Sequence, residues 1–227
     1  MNYKWDFGDG NITSTIEKII THSYTLEGDY DVNLTITDNS STTNSTTKFV
    51  QVVATGITID LYTGWNLISL PLMPEETSIA FVLSPIMGDY SIIWAYNASD
   101  TADYWKKYDP SAPFGNDLAH MEAGKGYRIM MTSDNALNIS GTVPESTDIN
   151  LKNGWNLIGY NSLESQPITD ALSSITGNYS IVWAYDASDT DHWKKYDPSA
   201  PFGNDLAHME AGKGYWIMMT TDDILEI

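Results

Sequence analysis

The residues that could do chemistry are few, and most of them occur twice. His120 stands two residues before Glu122, and the same pair returns as His208 and Glu210. A histidine beside a carboxylate could act as a general base. No nucleophile motif accompanies either pair, and no His-x-x-x-His or His-Glu-x-x-His spacing offers a zinc site. His22 falls in an aromatic pattern and reads as structural, and His192 completes the four. The 30 acidic residues leave room for a glycosidase pair, but nothing in the spacing singles one out. Gly124-Lys125-Gly126 and Gly212-Lys213-Gly214 lack the rest of a phosphate loop and read as turns that enter strands. The chain is therefore expected to be no enzyme.

Two constellations point instead to binding. Asp100, Asp103, Asp109 and Asp117 recur as Asp189, Asp191, Asp197 and Asp205, with Asn residues among them. Calcium takes several oxygens from such groups, so calcium is the one cofactor suggested. The spacing matches no EF-hand, and Asp and Asn are also the usual turn formers, which is the simpler reading. The second constellation is aromatic. Trp65, Trp94, Tyr96, Trp105 and Tyr108 return as Trp155, Trp183, Tyr185, Trp193 and Tyr196. Small β domains fill their cores with such rings, so most are expected inside. Trp105, Tyr108, Trp193 and Tyr196 adjoin a polar loop and are the candidates for a sugar platform. Trp216 stands where the first copy has Arg128, so this strand face should differ between the copies.

Composition narrows the partners. With 30 acids against 11 bases the net charge is -19, which argues against nucleic acid and against anionic lipid. No apolar run approaches membrane-spanning length, so no membrane insertion is expected in this chain. There is no cysteine, which removes disulfides and thiol chemistry. Asn11, Asn33, Asn39, Asn44, Asn97, Asn138 and Asn178 head Asn-X-Ser/Thr sequons and are candidate glycosylation sites.

The elements that must position these residues follow from an internal duplication. Trp105–Tyr127 reads WKKYDPSAPFGNDLAHMEAGKGY, and Trp193–Tyr215 repeats it residue for residue. Around it, Gly64-Trp65-Asn66-Leu67-Ile68 matches Gly154-Trp155-Asn156-Leu157-Ile158, a strand apolar enough to be buried on both faces. Ile79, Val82, Leu83 and Ile86, and then Ile168, Ala171, Leu172 and Ile175, have helical spacing. Thr77 or Ser78 should cap the first helix and Pro167 should open the second. Gly88 and Gly177 suit their ends, and Pro85 should shorten the first. YSIIWAY and YSIVWAY are aromatic strands, and a closing hairpin is expected over 134–139 and 222–227.

Residues 1 to 54 are different. Tyr3 to Phe7 alternates as a strand, and Gly8-Asp9-Gly10 turns the chain. Glu27-Gly28-Asp29 makes a second turn, and Tyr30, Val32, Leu34 and Ile36 alternate on a half-buried strand. A polar loop and a strand from Lys48 to Val53 follow. WDFGDG, then HSY, then GDYDVNLTITDN resembles the PKD domain, an immunoglobulin-like β-sandwich. The resemblance implies two further strands before Trp5. The unit is thus expected to be a partial sandwich, cut at its start or completed by strands from another chain through an open edge.

After a Thr55-Gly56 hinge, GWNLISLPL, YSIIWAY, KKYDP and MEAGKGY resemble a module of large surface proteins of methanogenic archaea. The expected chain is mainly β: a partial PKD-like sandwich at 1–54, then β-rich modules with one short helix each at 55–145 and 146–227. The expected role is a non-catalytic extracellular or cell-surface structural or adhesion protein, with other surface proteins or polysaccharide as partners. Carbohydrate binding, within an accessory segment of a larger secreted enzyme, is the alternative.

Overall fold

The computed structural model describes residues 1–24, 28–52, 55–144 and 148–227. The chain is mainly β and divides into two compact units, Met1–Ala54 and Thr55–Ile227. The second unit holds both copies of the duplicated sequence. Residues 145–147, where one copy gives way to the next, lie outside the described residues, as do Glu27 of the expected turn and Val53 of the expected strand.

In the first unit, β1 (Asn2–Asp6), β2 (Ile12–Thr15), β3 (Gly28–Thr37) and β4 (Thr43–Val52) form one antiparallel sheet in the order β2-β1-β3-β4. Tyr3 opposes Ile36 and Trp5 opposes Leu34, so the alternating apolar residues share one face, as the period of two requires. Tyr3 and Phe7 are buried, while Trp5, Val32, Leu34 and Ile36 are only half-buried. The Gly8-Asp9-Gly10 turn depends on glycine, since Gly8 and Gly10 have φ of +80° and +93°. A run of rings crosses the unit. Phe7 stacks on His22 at 3.9 Å, His22 meets Tyr24 edge-on at 4.8 Å, and Tyr24 stacks on Tyr30 at 4.2 Å. His22 Nε2 lies 2.8 Å from Asp9 Oδ2, and Tyr24 donates to the Phe7 carbonyl.

Each copy of the repeat builds the same sheet. The first uses β5 (Thr55–Leu61), β6 (Gly64–Ser69), α1 (Ile79–Val82), β7 (Tyr90–Tyr96), β8 (Trp105–Tyr108), β9 (Gly126–Met131) and β10 (Asn135–Gly141). The second uses β11 (Ile149–Leu151), β12 (Gly154–Gly159), β13 (Gln166–Pro167), α2 (Ile168–Ala171), β14 (Tyr179–Tyr185), β15 (Trp193–Tyr196), β16 (His208–Met209), β17 (Gly214–Met219) and β18 (Asp223–Leu225). The sheets run β6-β9-β7-β8 and β12-β17-β14-β15, and both are antiparallel. The Asn of each GWN motif is buried and pins the turn before its strand. Asn66 Oδ1 accepts from the Tyr62 N–H while its Nδ2 donates to the Tyr62 carbonyl, and Asn156 treats Lys152 the same way.

Three expectations are corrected. Thr55 and Gly56 are no hinge; they begin β5, paired with Gly141 and Ser140. The segments at 134–139 and 222–227 make no local hairpin. β10 pairs with β5 and β18 with β11, so the end of each module returns to its beginning. The helices are single turns, each followed by a short 3-10 turn, Ser84–Ile86 or Ser173–Ile175. Pro85 is not what shortens the first, because the second breaks at the same place with Ser174 in that position. Ser78 makes no side-chain cap, and Pro167 precedes its helix rather than opening it. The first helical N–H groups bond instead to the Ala119 and Ala207 carbonyls, so the duplicated stretch itself seats each helix.

One face of each sheet covers its own core. Ile68, Ile93, Ile129, Tyr127 and Met131 pack with Leu70, Leu83 and Ile86, and the second copy does likewise around Tyr160, Tyr215 and Ile217. The other faces approach each other. Ser69 N–H donates to the Gly212 carbonyl and Gly159 N–H to the Gly124 carbonyl, and Ser69 Oγ donates to the Lys213 carbonyl. Buried Asn161 accepts from the Gly124 N–H at 2.6 Å. Leu67 and Leu157 belong to neither core. They are buried beside Gly214 and Gly126 of the opposite module, which contributes roughly 1.5–3 kcal/mol each. This explains why the GWNLI strands are apolar on both faces.

The approach leaves no room for side chains at the crossing. A Cβ on Gly126 would stand 2.6 Å from the Ile158 carbonyl oxygen, and one on Gly214 2.9 Å from that of Ile68. Gly126→Ala should therefore destabilise the second unit by about 1–3 kcal/mol, read from its denaturant midpoint. An unchanged midpoint would mean that the modules do not meet this closely. In the first unit, desolvation would raise the Asp9 carboxyl, but hydrogen bonds from Asn11 and His22 outweigh it and bring it down to about 2. The folded value lies below the unfolded one, so its contribution is complete above about pH 4 and is lost as pH falls towards about 2. Amide exchange in β1 should rise over that window, and Asp9→Asn should flatten the dependence.

Candidate functional site

The strands decide where each aromatic ring points. In β7 the core takes Ile93 and Ala95, so Ile92, Trp94 and Tyr96 emerge on the opposite face. In β9 Tyr127, Ile129 and Met131 are buried in the core, which leaves Arg128 and Met130 outside. In β8 Trp105 and Lys107 face out, while Tyr108 packs on the core. The second module repeats this with Trp183, Tyr185, Trp216 and Trp193 outside and Tyr196 against the core. No tryptophan belongs to either buried core, contrary to the expectation for most of them. Tyr108 and Tyr196 in turn lie on the core side of their strands and are not part of the exposed ring set.

Because the outer faces of the two sheets oppose each other, these rings converge. Tyr96, Trp105, Trp155, Trp183, Trp193 and Trp216 line a cleft of about 550 Å³. Its walls come from both modules. Trp216 meets Tyr96 at 5.2 Å, Trp105 at 5.8 Å and Trp155 at 6.1 Å, all at steep interplanar angles. Trp193 meets Trp183 at 6.2 Å and Tyr185 at 5.0 Å, again edge to face. Such contacts fix rings without hiding both of their faces. Trp105, Trp155 and Trp193 remain 39%, 41% and 42% exposed. The corresponding place in the first module is a smaller hollow of about 310 Å³ lined by Trp65, Trp94, Trp105 and Arg128. There the Arg128 guanidinium lies over the Trp65 ring at 4.1 Å.

The sequence pointed to Trp105 and Trp193, and the structure brings them into this one cleft. Trp155, Trp183, Trp216 and Tyr96 complete it. Alternation within YSIIWAY, YSIVWAY and GYWIMM puts Tyr96, Trp183 and Trp216 on one face of their strands without saying that this face is the outer one, and nothing in GWNLI sets Trp155 apart.

The acidic residues have a different employment. Asp100 and Asp103 both hold Lys106, at 3.0 and 3.1 Å, and Asp189 holds Lys194 at 2.8 Å. The Lys194 ammonium brings the Asp189 carboxyl down to about 2. Asp109 and Asp197 accept from Ser111 and Ser199, which lowers both carboxyls. Asp117 and Asp205 accept from the Lys107 and Lys195 N–H groups. The Asp191 N–H donates to Asp189. Among the described residues no group of three or more His, Asp or Glu side chains gathers as a metal site would require.

These bonds make the DPSAPFGND loop rigid in both copies. Asn116 and Asn204 tie its ends by accepting from the Asp109 and Asp197 N–H groups. Phe114 and Phe202 stand out from it, each 84% exposed. His120 and His208 are exposed, and their strand segments pair with Ser78 and Pro167. Glu122 and Glu210 bond to Lys125 and Lys213. Their backbone N–H groups donate to the buried hydroxyls of Tyr127 and Tyr215, each at 2.7 Å. Of the sequon asparagines, Asn11, Asn39, Asn44 and Asn138 are exposed, while Asn33, Asn97 and Asn178 are half-buried. Asn178 donates to Asp223.

Comparison with known proteins bears on the first unit. Residues 1–53 match the PKD domain family model. A 51-residue stretch is 45% identical to Collagenase ColA of Clostridium perfringens (strain 13 / Type A), covering 22% of this chain and 4% of that protein. No solved structure matches. No helix among the described residues is long and apolar enough to cross a membrane. Residues 1–53 are thus similar to a PKD domain, and the duplicated unit stands on its own geometry.

Proposed function

We propose that this chain is a non-catalytic binding segment of an extracellular or cell-surface protein, and that the ring-lined cleft between its modules is the ligand site. One observation supports this above the rest. Six large rings lie on the outer faces of two sheets, outside both cores, and all open on one hollow. Exposed aromatic surface of this kind is costly in water and marks a site of contact. A polysaccharide suits it, because the C–H faces of pyranose rings lie flat on aromatic faces.

The PKD-type domain fits the same reading, with three parts at 1–54, 55–145 and 146–227. The shared domain in a collagenase favours a second setting, in which such a segment accompanies the catalytic part of a larger secreted enzyme. In either setting the segment holds a partner and leaves the chemistry elsewhere.

Titration of the intact chain with soluble glucans and chitin oligomers, followed by tryptophan fluorescence, is the direct test. Binding should saturate, and Trp105→Ala and Trp193→Ala should each weaken it by roughly tenfold or more. The unfolding midpoint should barely move, since neither ring sits in a core. If no soluble polysaccharide perturbs the fluorescence of the intact chain, polysaccharide is not what the cleft holds.

A further inference from the structure

The two copies differ at one position that lies within their aromatic clusters. Arg128 and Trp216 occupy the same place in their sheets. Arg128 opposes Leu67 and Trp94, while Trp216 opposes Leu157 and Trp183. In the first module the tryptophans meet a cation supplied by the protein, the Arg128 guanidinium at 4.1 Å from the Trp65 centroid. Lys107 stands 6.0 Å from Trp94 in the same group. In the second module the arginine is gone and a further ring has replaced it. The rings Trp65, Trp94 and Trp105 of the first hollow have the counterparts Trp155, Trp183 and Trp193; Trp216 adds a fourth, Tyr96 and Trp105 of the first module bring the lining to six, and the cavity is about 550 Å³ against about 310 Å³.

Ring faces carry negative potential, and a cluster of them attracts a cation whose hydration is weak. Ordinary ammonium groups are strongly hydrated, and the guanidinium and the alkylated ammonium are much less so. A wall made of aromatic side chains meets a sugar only through its C–H faces, and it suits as well a cation that donates no hydrogen bonds. Lys195 opposes Trp183 across the strands and is the nearest charged neighbour in register. The chain's net charge of -19 works in the other direction at long range and favours approach of a cation.

We propose that the cleft lined by Trp216, Trp155, Trp105, Trp193, Trp183 and Tyr96 is a subsite for a quaternary ammonium head group. The inference rests on the cleft being the ligand site and adds which part of the ligand enters it. The head group could come from a free solute or from a lipid surface, and the test separates the two.

Choline and tetramethylammonium are titrated into the intact chain at constant ionic strength, with the indole N–H signals as readout. The uncharged carbon isostere of choline and phosphatidylcholine vesicles form the other arms. Choline should saturate the signals of the cleft rings and bind about tenfold or more tighter than its isostere. Trp216→Arg, which copies the arrangement the first module already accommodates, should abolish the response while the unfolding midpoint is kept. Trp193→Ala should weaken it independently. Added vesicle binding would place the head group on a lipid; choline binding alone would make it a solute. Equal binding of choline and its isostere, or an undiminished response in Trp216→Arg, overturns the inference. Glucan binding with silent ammonium ligands overturns it too, yet leaves the cleft as the ligand site. Silence from both classes removes the site altogether.

Discussion

The close passage of two backbones holds the second unit together. Gly126 against Ile158 and Gly214 against Ile68 let the outer faces of two sheets meet where a methyl group would keep them apart. Strand 6 of one module and strand 12 of the other then exchange hydrogen bonds with the opposite glycine turns. Everything in the cleft depends on this passage. With the sheets separated, the same rings would be two exposed aromatic stripes rather than the walls of one cavity. The crossing lies at one end of the paired strands, where Ser69 opposes Gly126 and Gly159 opposes Gly214.

Rigidity at the site comes from division of labour within each strand. One residue in two anchors to an aliphatic and tyrosine core that is nearly free of solvent, and the next is displayed outward. The displayed ring inherits the precision of the buried one. The buried Tyr127 and Tyr215 illustrate this. Burial pushes both hydroxyls up, and each accepts from the turn that leads into its strand, fixing the start of the strand that carries Arg128 or Trp216.

Much of this architecture was legible in the sequence. The duplication, the strands at GWNLI and YSIIWAY, and the turn glycines all follow from local pattern. Trp105 and Trp193 were separable from the core because they adjoin a polar loop. Other features were not legible, for physical reasons. YSIVWAY is apolar on both faces, so alternation alone does not say which face meets the module's own core and which meets the other module. The pairing of β10 with β5 joins residues about eighty positions apart, and no local signal fixes such a register. Gly126 reads as part of a turn, although its role is to admit a carbonyl of another sheet. The acidic loops left two readings open, turn formation and a bound ion, because Asp and Asn serve both. In the structure lysines, serines and backbone N–H groups bond to these carboxylates.

The contact between Ser69 and Gly159 has a further consequence. These two residues hold equivalent positions in the two copies and face each other across the interface, and a Cβ on Gly159 would strike that of Ser69. In a dimer of identical chains, a residue on the symmetry axis must meet itself. A serine there would collide with its own image, and a glycine would leave a gap. Fusing the copies in one chain frees that point from symmetry, so a serine can meet a glycine. The first module is thereby unsuited to meet another first module through this contact, because two serines would collide there.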